Sequence, residues 1–193
     1  MVGVLTGITA LFFAVTACNN PFKTREPEVN PNPGGVAIQP ANSPENVLYN
    51  MKVSFENLSV QDYLDTFSDD FIFVPDPEDS LEYENEFRNT WDKQNEKDFI
   101  NNFSLSIKSD SLTTNYVAFV TSKYEYKPGQ DMYEYNYVLE VVDKDKNADW
   151  TFRGRAWLFL KEYPDGKWYI YRWVDHKVQA TMLTWGVLRA LYM

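Results

Sequence analysis

Asp175 stands beside the only histidine of the chain, His176. A carboxylate next to an imidazole can orient the ring and set its tautomer, which is raw material for general acid–base catalysis. Neighbours on a strand point to opposite faces, however, and the preferred reading of both is strand-end polar residues. A second chemistry, proton abstraction beside a carbonyl, needs a carboxylate base opposite a tyrosine or a protonated acid that stabilises an enolate oxygen. The 13 tyrosines, with Asp92, Asp98 and Asp175, supply the parts. Arg153, Arg155 and Arg172 raise a third possibility, because guanidinium forks suit carboxylate ligands. Acids outnumber bases, so cross-strand pairing with Glu134 or Glu140 and stacking on aromatic rings is the preferred reading of these arginines.

Other chemistries are excluded or weakened. The 18 basic residues against 28 acidic ones leave a net charge of −10, which repels phosphate backbones, so nucleic acid is not an expected partner. A single cysteine rules out an intrachain disulfide, and a single histidine rules out a multi-histidine metal site. The acidic run from Asp76 to Glu86 lacks the turn glycine and ligand order of a calcium loop and reads as a solvated loop and helix start. No Gly-rich phosphate loop, nucleophile elbow or zinc motif is present, and no cofactor is expected.

The elements that must position these residues centre on Trp150 to Asp175. Two apolar runs flank Pro164-Asp165-Gly166, where proline presets φ, Asp165 can bond the backbone ahead and Gly166 tolerates positive φ, so the stretch predicts a β-hairpin. At period two, Gly154, Ala156, Leu158 and Leu160 share one face of its first strand, and Arg153, Arg155, Trp157, Phe159 and Lys161 the other. The returning strand divides into Trp168, Ile170, Arg172 and Val174 against Tyr169, Tyr171 and Trp173. Upstream, Ser43-Pro44-Glu45 starts a helix carrying Val47, Leu48, Met51 and Phe55, and Ser59 caps a second one. Phe71 to Val74 reads as a short strand. A third helix is expected over Glu82 to Asn101, with Tyr83, Phe87 and Trp91 as a core-facing stripe. Strands follow near Phe103 to Lys108, Tyr116 to Tyr126 and Met132 to Val142, the last with Tyr133, Tyr135, Tyr137, Leu139 and Val141 on one face. A short helix bearing Trp185, Val187, Leu188 and Leu191 closes the chain.

Val2 to Ala17 is uncharged and mostly apolar or small and ends in Val15-Thr16-Ala17-Cys18. This resembles a bacterial lipoprotein signal with its lipobox, although the usual basic residue ahead of the run is absent. The resemblance implies a signal peptide over 1–17, lipidation of Cys18 and a membrane anchor in the cell envelope. Residues 18–42 then form a tether, with five of the ten prolines between Asn19 and Asn42. The folded domain spans 43–193.

Helices first and then a meander of long antiparallel strands give an α+β class, with N-terminal helices packed on a strongly curved antiparallel sheet. Three stretches, SPENVLYNMKVSFENLSVQDYLDTFSDDFIFV, FRNTWDKQ and GKWYIYRWVD, resemble the nuclear transport factor 2-like superfamily, the cone-shaped α+β barrel shared with ketosteroid isomerases and polyketide-cyclase-like proteins. The resemblance implies a pocket between the concave sheet face and the helices, with Trp91, Tyr137 and Trp168 as candidates to line or fill it. It transfers no catalytic aspartate, so Asp92, Asp175 and His176 remain candidates only. Three functional expectations follow: a lipid-anchored envelope protein whose domain binds a small apolar ligand or a partner protein without catalysis; an isomerase or dehydratase using a pocket carboxylate and a tyrosine; and a homodimer formed through the aromatic sheet face.

Overall fold

The computed structural model describes residues 37–108, 116–129, 132–143 and 148–193. Cys18, the signal segment and the tether up to residue 36 lie outside these residues. Strands β6 (Ala148–Glu162) and β7 (Trp168–His176) form the expected hairpin. Its turn is closed by Tyr163 N–H on the Lys167 carbonyl and Gly166 N–H on the Tyr163 carbonyl, both at 2.9 Å. Gly166 takes φ +74°, and Asp165 accepts from Lys167 N–H at 3.0 Å, as the turn residues require.

The pairing of β6 with β7 is interrupted once. Phe159 opposes Arg172 and Leu160 opposes Ile170, so Tyr171 is an extra residue without a cross-strand partner. This bulge resets the alternation: Ile170, Trp173 and Asp175 all face the core, and Arg172 faces solvent. The expected grouping of Ile170 with Arg172 and Val174 is therefore corrected, because strict period two cannot register an inserted residue.

The other strands are β1 (Phe67–Val74), β2 (Trp91–Asp92), β3 (Tyr116–Thr121), β4 (Glu125–Lys127) and β5 (Met132–Asp143). The sheet runs β2-β1-β7-β6-β5-β3, with β4 beside β5 beyond the end of β3. Only β1 and β7 pair in parallel; the remaining pairs are antiparallel. The expected long strand from Tyr116 is split at Ser122, whose hydroxyl accepts Asn136 N–H at 2.9 Å and whose own N–H reaches the Asn136 carbonyl. Tyr135, Tyr137, Leu139 and Val141 of β5 face the core as expected.

Helices α1 (Pro44–Glu56), α2 (Val60–Leu64) and α5 (Lys93–Lys108) supply the covering layer. Ser43 caps α1 by accepting Asn46 N–H at 3.3 Å, and Val47, Leu48, Met51 and Phe55 are buried. The third helix differs from expectation. In place of one helix from Glu82, there are two short ones, α3 (Pro77–Glu82) and α4 (Glu84–Phe87), then β2, then α5. Trp91 sits on the edge strand, and Phe103 to Lys108 is helical. The alternation of Phe103, Leu105 and Ile107 imitates a strand, yet Leu105 is 71% exposed, whereas Phe99, Phe103 and Ile107 face inward at helical spacing.

The domain also begins earlier than Ser43. Gln39 N–H donates to Asn50 Oδ1 and Asn50 Nδ2 donates to the Gln39 carbonyl, each at 2.8 Å. This two-point amide clamp, with Trp168 N–H on the Ala41 carbonyl at 2.8 Å, straps residues 37–42 to α1 and the hairpin.

Candidate functional site

The concave face of the sheet receives one more element, the C-terminal helix α6 (Trp185–Leu191), held at its start by Thr184. Helix α6 carries two aromatic-scale side chains, Trp185 and Arg189, both 0% exposed, into the space enclosed by α1, α5 and the sheet. The Arg189 guanidinium meets Glu96 of α5 in a bidentate pair, Nη2 to Oε1 at 2.7 Å and Nε to Oε2 at 2.8 Å. Tyr63 donates its hydroxyl to Glu96 Oε1 at 2.6 Å and Trp91 its indole N–H to Oε2 at 2.8 Å. Four donors thus satisfy one buried carboxylate. The guanidinium also lies 3.9 Å from the Phe73 ring centroid and 4.6 Å from that of Trp173, so its faces are covered by aromatic rings. Burial is the largest single influence on Arg189 and would lower its pKa, but the charge and hydrogen bonds of Glu96 together with Tyr63 and Asp175 outweigh it, and the net direction is upward. Burial, reinforced by Glu96, raises the Tyr63 phenol well above its usual range.

A second network grips the other end of α6. Tyr137 donates to Asp175 Oδ1 at 2.8 Å and accepts Trp185 N–H at 3.0 Å, while Gly186 N–H reaches Asp175 Oδ2 at 3.1 Å. Burial pushes the Asp175 carboxyl up to about 6, against the opposing pull of the Tyr137 bond and the Arg189 charge. Burial, and then the Asp175 charge, raises Tyr137 in turn. Alongside, Asp79 of α3 accepts the Thr184 hydroxyl and pairs with Lys177 Nζ at 2.6 Å; burial raises its pKa despite that partner.

The candidate residues therefore divide. Asp175 and Tyr137 come together, but Tyr137 donates directly to the carboxylate instead of facing it across a substrate, and both are buried against the start of α6. Asp175 and His176 are on opposite faces: His176 lies outside, its ring centroid 4.1 Å from that of Trp157, and burial lowers its pKa. Asp92 is exposed, accepting Gln94 N–H at 2.8 Å and Asn95 N–H at 3.1 Å in the first turn of α5. Asp98 is exposed on α5 and accepts from Gln94. Trp91 and Tyr137 help fill the interior, whereas Trp168 is half-buried at the hairpin mouth against the strap. Glu96, Arg189, Asp79 and Thr184 were not anticipated; a glutamate at the core-facing spacing of Phe99 and Phe103, and an arginine after Trp185-Gly186-Val187-Leu188, were the available signals.

Outside, the β6 residues Arg153 and Arg155 are exposed and Trp157 and Phe159 half-exposed. The expected pairing with Glu134 or Glu140 does not form: Glu134 accepts the Trp157 indole N–H at 2.7 Å and faces Lys127, and neither arginine takes part in an ion pair among the described residues. Two open grooves also lie on the outside. One, of about 770 Å³, runs between the strap, the start of β1 and the hairpin turn. The other, of about 540 Å³, lies between β1, α4 and β2. Among the described residues no group of three or more His, Cys, Asp or Glu side chains is arranged to hold a metal ion, and no helix is long and apolar enough to cross a membrane.

Searches against protein-family models and curated protein sequences return no match. Solved structures do match. A putative scytalone dehydratase from Novosphingobium aromaticivorans aligns at a TM-score of 0.53 and 8% identity over 72% of this chain and 88% of that one. The beta subunit of benzoate 1,2-dioxygenase from Burkholderia mallei aligns at 0.51 and 12% identity over 68% and 85%. An NTF2-like protein from Cytophaga hutchinsonii aligns at 0.47 and 13% identity over 69% and 94%. At such identities the likeness concerns the fold alone: an α+β arrangement of helices on one face of a seven-stranded, curved and unclosed sheet, as the sequence led us to expect.

Proposed function

We propose that this chain is a non-catalytic binding module, anchored in the cell envelope by lipid on Cys18, that engages a partner protein through the outer face of β5 and β6. The filled interior carries the reading. Trp91, Tyr137, Trp173 and Trp185, none more than 2% exposed, and the Glu96–Arg189 pair occupy the volume where a small apolar ligand would sit. The outer face then offers what recognition uses, half-exposed Trp157 and Phe159 beside Arg153 and Arg155, which take part in no ion pair among the described residues. The lipobox residues support the anchor. The test is co-purification of the full chain from its own membranes in mild detergent, parent against Arg153→Glu/Arg155→Glu. A stoichiometric partner lost in the variant is expected. A chain that sediments as a dimer, with dimer loss in the variant, would replace the partner with a second copy, and the same monomer in both would remove the reading. Cys18→Ser should move the chain from the membrane to the soluble fraction.

The enzyme reading keeps one specific observation, Asp175 with a carboxyl near 6 and Tyr137 Oη at 2.8 Å. A base of that kind could accept a proton close to neutral pH. It would require displacement of Trp185, so turnover abolished by Asp175→Asn and increased by Trp185→Ala would favour it.

A further inference from the structure

The groove between β1, α4 and β2 differs from the rest of this acidic molecule. Its lining contains no Asp or Glu, although the chain has 28 of them, and it contains two arginines, Arg88 and Arg172. Both are exposed, and among the described residues neither takes part in an ion pair. Arg172 reaches this position because of the bulge at Tyr171, and its guanidinium lies 5.7 Å from the Phe159 ring centroid. The ring within reach beside the arginines is Phe87, half-buried, with the buried Trp91 packed behind it at a centroid distance of 5.4 Å. Asn89 and Thr90 add polar groups at the rim. The volume, about 540 Å³, is in the range of small-molecule sites.

Unpaired guanidiniums remain hydrated in water at little cost, so exposure alone explains one of them. Two at one groove with an aromatic ring and no competing carboxylate make a complementary surface for one class of ligand. We infer that this groove binds a small organic carboxylate with a flat apolar body, its carboxylate held by Arg88 and Arg172 and its ring laid against Phe87. The groove adjoins the proposed partner face at Phe159, over which Arg172 lies, but neither groove arginine is among the residues assigned to that face.

The test is titration of the full chain in detergent with 2-naphthoate, followed by isothermal calorimetry, with 2-naphthamide as the uncharged control of the same shape. Naphthoate is expected to bind saturably and about tenfold or more tighter than the amide, the factor that one charge-assisted bidentate contact supplies. Arg88→Gln and Arg172→Gln should each weaken naphthoate by about tenfold and leave the amide unchanged; both side chains are exposed, so the variants should fold. Arg153→Gln, on the outer face, should change neither. Equal affinity for acid and amide, no effect of either groove substitution, or no saturable binding into the millimolar range would each overturn the inference.

Discussion

The interior beneath the curved sheet and the sheet's outer side handle arginine in opposite ways. Inside, Arg189 is fully buried and every polar atom of its partner Glu96 is engaged, with Tyr63 and Trp91 completing the carboxylate's shell. Outside, Arg153, Arg155, Arg88 and Arg172 have no ionic partner among the described residues, in a molecule rich in acids. A buried charge must be paired or it destabilises the fold, whereas an exposed charge costs nothing to leave open. The difference teaches that the interior network is built for stability, whereas nothing in the fold requires the outer guanidiniums, which is what leaves them available for the recognition proposed above.

The sharpest way to break the comparison is Arg189→Met. It leaves Glu96 charged, buried and short of two donors, so the chain should lose about 3–5 kcal/mol in denaturant titration. Adding Glu96→Leu should recover much of that loss; a double variant no more stable than the single would mean that Arg189 acts through packing alone.

Next in size is Asp175. Its raised carboxyl means the folded state holds a proton that the unfolded chain has released, so stability falls as pH rises from about 4 to about 6. The cost at neutral pH is on the order of 3 kcal/mol. Asp79, also raised, contributes a slope of the same sign, and His176, lowered by burial, contributes the opposite one below about 6.5. Asp70 and Asp165, lowered first of all by hydrogen bonds from Ser68 and Tyr169, add stability that is lost only as pH falls below about 4. Comparing Asp175→Asn with the parent isolates the one group: the variant's melting temperature should vary less between pH 4 and 6. Parallel profiles would contradict the assignment.

A smaller effect is expected at Gly154. A Cβ there would stand 2.5 Å from Tyr137 Oη and 2.8 Å from the His176 carbonyl oxygen, which is backbone and cannot step aside. Gly154→Ala should cost about 1–3 kcal/mol by overpacking, read as a lower denaturation midpoint. At the bottom of the scale, Arg153→Gln and Arg155→Gln should shift stability by about 0.5 kcal/mol or less, because nothing in the fold holds them. A larger loss at either position would erase the contrast between the two sides of the sheet.

Much of this architecture was legible in the residues. The hairpin and its turn, the cap of α1, the inward face of β5 and the order of helices before strands all rest on local rules, and the structure obeys them. The local rules failed where tertiary context decided. Phe103 to Ile107 alternates like a strand, yet docking of Phe99, Phe103 and Ile107 makes it helix. The stripe through Tyr83, Phe87 and Trp91 has helical spacing, yet the chain turns at Arg88 to Thr90 and sends Trp91 to a strand. The bulge at Tyr171 leaves no mark in composition, and it alone decides that Asp175 meets Tyr137. Glu96 and Arg189 were hidden by a sound prior, since charged side chains are seldom buried unless paired, and the partner was 93 residues away.

That separation also sets an order of events during synthesis. The ribosome delivers Glu96, Tyr63 and Trp91 well before Arg189, so a nascent chain holding the helices and most of the sheet still lacks the cation that neutralises its centre. Closure around a lone buried carboxylate is unfavourable, so the network favours closure only once α6 supplies Arg189. If the chain is exported as proposed, a core completed late would double as a delay on premature folding.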